Sequence, residues 1–154
     1  MISTQWFMGG DDLTDAYAIR RKVFMQEQDI SEAEEFDGTD TECMHLVAYD
    51  GDDLPVATGR IRVTLDEFNI GRIAVLPTHR GKHLGLFVMQ VLIHACFTMG
   101  GERQVVRAQI YARGFYEKLG FTAFGDEYEE AGIPHISMER FGDTIKLCQA
   151  KTEA

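Results

Sequence analysis

The chain has 154 residues, 45% of them hydrophobic, which suits one domain built round one core, residues 1–154. A formal net charge of −10 argues against nucleic acid and anionic membranes as partners. No apolar run reaches the roughly 18 residues of a bilayer span, and the N-terminus MISTQWFMGGDD lacks the basic and apolar parts of a signal peptide, so a cytoplasmic location is expected.

In chain order, residues 2–8 read as a first strand. Asp11 and Asp12 offer helix N-caps, with Asp15 near the positive end of the helix that follows. Leu13, Ala16, Tyr17, Arg20, Val23 and Phe24 fall on one helical face, and Arg20, Arg21 and Lys22 lie near its negative end. The acidic run SEAEEFDGTD (31–40) has two readings: a solvated loop or short helix, or a negative rim that favours an ammonium substrate. Residues 44–50 and 55–65 form a hairpin around Asp50-Gly51-Asp52-Asp53. Asp66-Glu67 turns the chain into a central strand carrying Ile70, Ile73, Ala74, Val75 and Leu76, which Pro77 stops.

Arg80-Gly81-Lys82-His83-Leu84-Gly85 follows, two glycines framing a basic pair. From there Leu84, Phe87, Val88, Val91, Leu92, Ala95 and Cys96 repeat at helical spacing until Gly100-Gly101. Residues 104–110 read as a strand, 112–119 as a short helix closed by Gly120, and 121–128 and 135–141 as a final strand pair. The tail from Gly142 is weakly patterned. This order predicts an α/β mixed sheet of six or seven strands with helices on both faces, in which 68–110 forms a right-handed crossover between parallel strands. Cys43, Cys96 and Cys148 are odd in number and have no C-x-x-C spacing, so free thiols are expected and a metal site is not.

A glycine-bearing turn that opens a helix invites an anion. The first N–H groups of a helix have no internal partner, and the macrodipole places positive charge there. Arg80 and Lys82 add fixed charge, and the anion expected is a phosphate or pyrophosphate; the plain alternative is a tight strand-to-helix turn. The P-loop and dinucleotide fingerprints do not fit.

The turn resembles the R-x-x-G-x-G turn of the GNAT superfamily of acyl-CoA-dependent N-acyltransferases, with His83 where that pattern has its middle glycine. Phe115-Tyr116-Glu117-Lys118-Leu119-Gly120-Phe121 resembles that superfamily's second signature, at the right spacing. VFMQEQ (23–28), GRIAVL (71–76), RAQ (107–109) and GIPHISM (132–138) are similar to the small bacterial ElaA/YjcF-like branch, and the likeness spans nearly the whole chain.

The resemblance implies a mostly antiparallel sheet with a splayed central parallel pair. It implies acetyl-CoA as cosubstrate, with the diphosphate on Arg80, Gly81, Lys82, His83, Leu84 and Gly85. The thioester arm would lie along Ile73, Ala74 and Val75, with Gly71 permitting the bulge that splays them and Phe115 beside the cofactor. Tyr116 corresponds to the general acid. Gln109 is a candidate for the pantetheine amides. The base is open between Glu27 and His135, each with a structural alternative, and Arg62 and Arg72 read equally as clamps for an acceptor carboxylate or as salt bridges. His45, His79 and His94 carry no assigned role. The activity implied is N-acetylation of a primary amine by direct attack; a non-catalytic acyl-CoA-binding regulator is the alternative. The acidic run leans towards a cationic acceptor, and a homodimer is left open.

Overall fold

The computed structural model describes residues 1–65 and 67–143; Asp66, Cys148 and the rest of the C-terminal tail lie outside the described residues. Seven strands form one sheet: β1 (Ser3–Met8), β2 (Cys43–Tyr49), β3 (Pro55–Val63), β4 (Phe68–Val75), β5 (Arg103–Gln109), β6 (Thr122–Glu130) and β7 (Ile133–Phe141). Their order is β1-β2-β3-β4-β5-β7-β6. Every neighbouring pair is antiparallel except β4 and β5. That pair is parallel because the helix α3 (Leu84–Thr98) carries the chain back across the sheet between them.

Helices cover both faces. Leu84, Val88, Met89, Leu92, Ile93 and Cys96 of α3 are buried against Ile61, Ile70, Val106 and Met138. This stripe is rotated from the expected one: Met89 and Ile93 face the sheet, while Phe87 is 37% exposed. The helix is apolar nearly all round, so periodicity alone did not single out a face. On the other face Ala16, Ile19, Val23 and Phe24 pack on Val47 and Ala74.

The first helix departs most from expectation. Its α-helical part, α1 (Thr14–Arg20), has Leu13 at the N-cap with no side-chain cap. Asp12 instead accepts from the Thr14 N–H and hydroxyl, and Asp11 accepts from Met8 N–H. The helix then continues to Glu27 as a wider π-turn segment, Arg21–Glu27, further than the apolar pattern reached. A single turn, α2 (Glu32–Glu35), follows inside the acidic run. The last helix, α4 (Arg113–Lys118), is preceded by a 3-10 turn at Ile110–Ala112. The β6–β7 hairpin closes on Ala131 and Gly132, both at positive φ, so β7 begins at Ile133 and not at His135. Pro134 is accommodated because β5 pairs with β7 only from His135 onward.

Candidate functional site

The parallel β4–β5 pairing holds only three positions, Phe68↔Gln104, Asn69↔Val105 and Ile70↔Val106. Beyond Ile70 the strands part. On its other side β4 is bulged: Thr58 pairs with Ala74 but Arg60 with Gly71, so Gly59 faces both Arg72 and Ile73. Gly59 lacks a side chain for a packing reason, since a Cβ there would stand 2.6 Å from both Ile73 Cδ1 and Leu92 Cδ1. The expected hinge was Gly71; the residue that takes the left-handed conformation is Arg72, at φ 53°. Leu76 N–H donates to Val56 C=O on β3 at 2.9 Å. By the alternation of a strand, the N–H and C=O of Val75 and Ile73 point the other way, into the gap towards β5.

The gap leads to the start of α3. A cleft of about 280 Å³ lies there, lined by Val75, His79, Arg80, Gly81, His83, Leu84, Gly85, Leu86, Phe115 and Lys118. Phe87 N–H donates to His83 C=O at 3.0 Å, so the N–H groups of Leu84, Gly85 and Leu86 lie before the first helical bond. Gly81 has φ 80° and His83 φ 60°, so His83 holds the conformation a glycine takes most easily. Val75 and Phe115 stand where a Cβ on Gly85 would touch them, at 3.7 and 3.6 Å, so Gly85 keeps this wall of the cleft shallow. A second hollow, bounded by Ile2, Lys82, His83, Leu84, Leu86, Phe87 and Gln90, adjoins the first. Lys118, quoted within the second motif but assigned no role, supplies a cation to the cleft.

Arg80 is already engaged. Its Nη1 and Nη2 donate to the two carboxylate oxygens of Glu27, both at 2.6 Å, and its Nε donates to Val75 C=O at 3.0 Å. The hydrogen bonds from Arg80 hold the Glu27 carboxyl below its ordinary value. With both oxygens taken, Glu27 is poorly disposed to accept an amine proton and instead ties the π-turn segment to the anion turn. Its neighbour Gln28 had no expected role, yet it accepts from Gln109 Nε2 at 2.8 Å and donates to the Tyr111 hydroxyl at 3.1 Å. Gln109 Oε1 is buried and has no hydrogen-bond partner among the described residues.

Tyr116 is half-buried beside Phe115 and Phe121, with ring centroids 5.1 and 5.8 Å away in edge-to-face contact. Burial, and then the nearby Tyr111, push its phenol well above the ordinary value of 10.0. Phe115, not Tyr116, lines the cleft at α3. His135 is buried, directly opposite Gln109 across β5–β7, and stacks on Tyr128 with centroids 5.7 Å apart. Its Nδ1 lies 2.7 Å from Ile133 C=O. A carbonyl can only accept, so Nδ1 carries a proton, and in the neutral ring the lone pair is on Nε2.

A buried ion network was missed by the sequence reading. Arg20 is 1% exposed and meets Glu35 at 2.7 Å and Asp40 at 2.8 Å. Arg60 meets the same Asp40 oxygen at 2.8 Å, and Arg72 meets Glu35 at 3.1 Å and Asp37 at 3.6 Å. Burial pushes both carboxyls up. For Asp40 the hydrogen bonds and charges of Arg20 and Arg60 prevail and leave it below its ordinary value, whereas Glu35 stays above its own. Two of the five carboxylates of the acidic run, Glu35 and Asp40, are therefore internal, while Glu32, Glu34 and Asp37 stay exposed. Arg72 is a salt-bridge residue here, as is Arg62, which meets Glu42 at 2.8 Å. His45 donates from Nε2 to Asp40 C=O; His79 and His94 meet Asp50 and Asp143. Cys43 and Cys96 are free and buried. Among the described residues no three His, Cys, Asp or Glu side chains gather as metal ligands, and no helix is long and apolar enough to cross a membrane.

Comparison with known proteins matches residues 13–140 to the acetyltransferase (GNAT) domain. YyaT of Bacillus subtilis is 38% identical over 132 residues, covering 84% of this chain and 88% of that protein. YjcF of the same organism, described as an uncharacterized N-acetyltransferase, is 36% identical over 129 residues, covering 83% and 91%. The crystal structure of Escherichia coli ElaA superposes with a TM-score of 0.81 at 28% identity, covering 90% of this chain and 99% of that one.

Proposed function

The chain belongs to the GNAT acetyltransferase family, and from that premise we propose that it transfers an acetyl group from acetyl-CoA to the primary amine of a small molecule or peptide. The observation that carries this reading is the continuity of the β4–β5 gap with the cleft at the start of α3. One end offers a helix N-terminus flanked by Lys82 and Lys118, suited to a diphosphate. The other offers backbone groups of Ile73 and Val75 that no strand pairs, suited to an acyl-pantetheine arm. Acetyl-CoA supplies an activated thioester carbonyl.

Each residue then has a physical task. Gly81, Lys82, His83, Leu84 and Gly85 hold the phosphates through backbone N–H groups, and Arg80 fixes the turn by bonding Val75 and Glu27. Ile73, Ala74 and Val75 line the arm, with a backbone N–H available to the carbonyl oxygen as it gains charge. Gln109, with its unpartnered Oε1, accepts an amide N–H of the arm. Phe115 closes the side. An amine attacks only when neutral, and the lone pair on His135 Nε2 takes its proton directly or through water. The new C–N bond forms, the C–S bond breaks, and Tyr116, still protonated at neutral pH, delivers a proton to the departing sulfur. Among the described residues no cysteine is placed for a covalent acyl-enzyme: burial pushes Cys96 up to about 12 and Cys43 above its ordinary value, so both stay as thiols.

The test is incubation with acetyl-CoA and a panel of amines, reading released thiol. Turnover supports the proposal. Acyl-CoA binding with no turnover on any amine would favour a regulator instead, and no rise in melting temperature with any CoA thioester would refute both.

A further inference from the structure

The buried ion network touches the acyl slot at one point, Arg72. Three features meet there. The β4–β5 pairing ends at Ile70, two residues before Arg72. The β3–β4 bulge places Arg72 and Ile73 together opposite Gly59. Arg72 itself sits at φ 53°, a conformation costly for a residue with a side chain and kept only where surroundings enforce it. The enforcing contacts come from α2. Arg72 Nε lies 3.1 Å from Glu35 Oε2, and Nη2 donates to the Glu35 carbonyl at 2.9 Å and towards the Glu34 carbonyl at 3.4 Å. Those carbonyls are free to accept because a one-turn helix bonds few of its own. Glu35 is itself held by Arg20, and Asp40 joins Arg20 to Arg60, the Cα partner of Gly71. The clamp thus closes on both strands of the bulge.

We infer that Arg72, clamped by Glu35, is a positioning residue that fixes the β4 bulge and so aims the backbone groups of Ile73 and the N–H of Val75, which no strand pairs, into the acyl slot. The inference rests on the acyl-transfer reading above. It separates the two ends of the site: the start of α3 does not depend on the clamp, whereas the orientation of Ile73 does.

Arg72→Gly tests it, because glycine tolerates the positive φ but carries no guanidinium; Glu35→Gln removes the carboxylate charge while leaving the Glu34 and Glu35 carbonyls in place, and serves where the first variant fails to fold. In folded protein Arg72→Gly should lower kcat about a hundredfold, the usual loss when an oxyanion donor is lost, and Glu35→Gln should lower it in the same direction by less. The Kd for ADP, which carries a diphosphate and no pantetheine arm, should stay within about twofold, since the phosphates sit elsewhere. The double variant should cost no more than the worse single one, because the two act as a unit. In the ligand-free protein, amide NMR signals of Ile73 and Val75 should shift in Arg72→Gly while those of Gly81 to Leu86 stay. A folded variant with unchanged kcat, or with unmoved Ile73 and Val75 amides, overturns the inference. If the wild-type chain neither binds nor turns over acetyl-CoA, the functional reading fails, and the amide shifts still decide the clamp.

Discussion

His83 offers a sharp test because it sits in the anion turn with a backbone that disfavours it. At φ 60° an L-residue is strained by about 1–2 kcal/mol. Glycine relieves that strain but loses about 0.5–1 kcal/mol through the greater freedom of its unfolded chain. The imidazole is exposed, so removing it sacrifices little packing. His83→Gly should therefore stabilise the fold by about 0.5–1 kcal/mol. Two residues earlier the sign reverses. Gly81 has φ 80°, and a Cβ there would meet nothing within 4 Å, so Gly81→Ala adds backbone strain and no clash. It should destabilise by about 0.5–1 kcal/mol. The two variants should melt about 2–8 °C apart in a chain of this size, on opposite sides of wild type. Urea denaturation and thermal melting both read this. Acetyl-CoA should raise the melting temperature of His83→Gly by at least as much as that of wild type, because the glycine lets the backbone come nearer a phosphate. A His83→Gly variant that melts below wild type would refute the reasoning about the turn.

Further outcomes follow from other groups. Tyr116→Phe should lower kcat by about 10²–10⁴-fold with little change in CoA affinity, the pattern of a lost proton donor; steady-state kinetics and calorimetry check it, and an unchanged kcat removes Tyr116 from the chemistry. Burial holds His45 below the ordinary imidazole value of 6.5, so on acidification the unfolded chain takes up a proton that the folded chain refuses. The His45 contribution is then whole above about pH 6.5 and drains as pH falls; the melting temperature should drop between about pH 7.5 and pH 5.5, and less so in His45→Gln, whose amide can still donate to Asp40 C=O. In a Cys148→Ser background, Cys43 and Cys96 should react with a thiol reagent only on unfolding, because burial keeps both protonated; rapid labelling of folded protein would contradict their placement.

What the sequence disclosed depended on whether partners were close along the chain. The anion turn and the F-Y-E-K-L-G-F segment were legible because each packs its chemistry into seven residues or fewer. The parallel step was legible because strand, helix and strand follow one another. The direction of the α3 face was not, since a helix apolar nearly all round carries no angular signal. Nor was the strained residue in β4: sequence favoured Gly71, whereas the long-range pull of Glu35 settled the conformation on Arg72. The clamp joins residues 15 to 37 positions apart, a range over which a charge pattern cannot tell a solvated face from a buried pair.

That distinction changes how the acceptor should be sought. The acidic run at 31–40 suggested a cationic substrate, but its charges are mostly spent within the protein. Glu35 and Asp40 face Arg20, Arg60 and Arg72; Asp37 faces Arg72; Glu32 faces Arg21. Glu34 alone in that run meets no cation among the described residues. A rim of exposed carboxylates of which only Glu34 is not already facing an arginine gives weak selection in water, where two unit charges at 4 Å attract by about 1 kcal/mol. On the proposed function, in which His135 takes the amine's proton, selectivity is better sought where β6 and β7 bring His135 and Tyr128 to one face of the sheet. Those groups offer hydrogen bonding and stacking, and a site built that way would reject an amine lacking the matching polar group far more strongly than it would reward net charge.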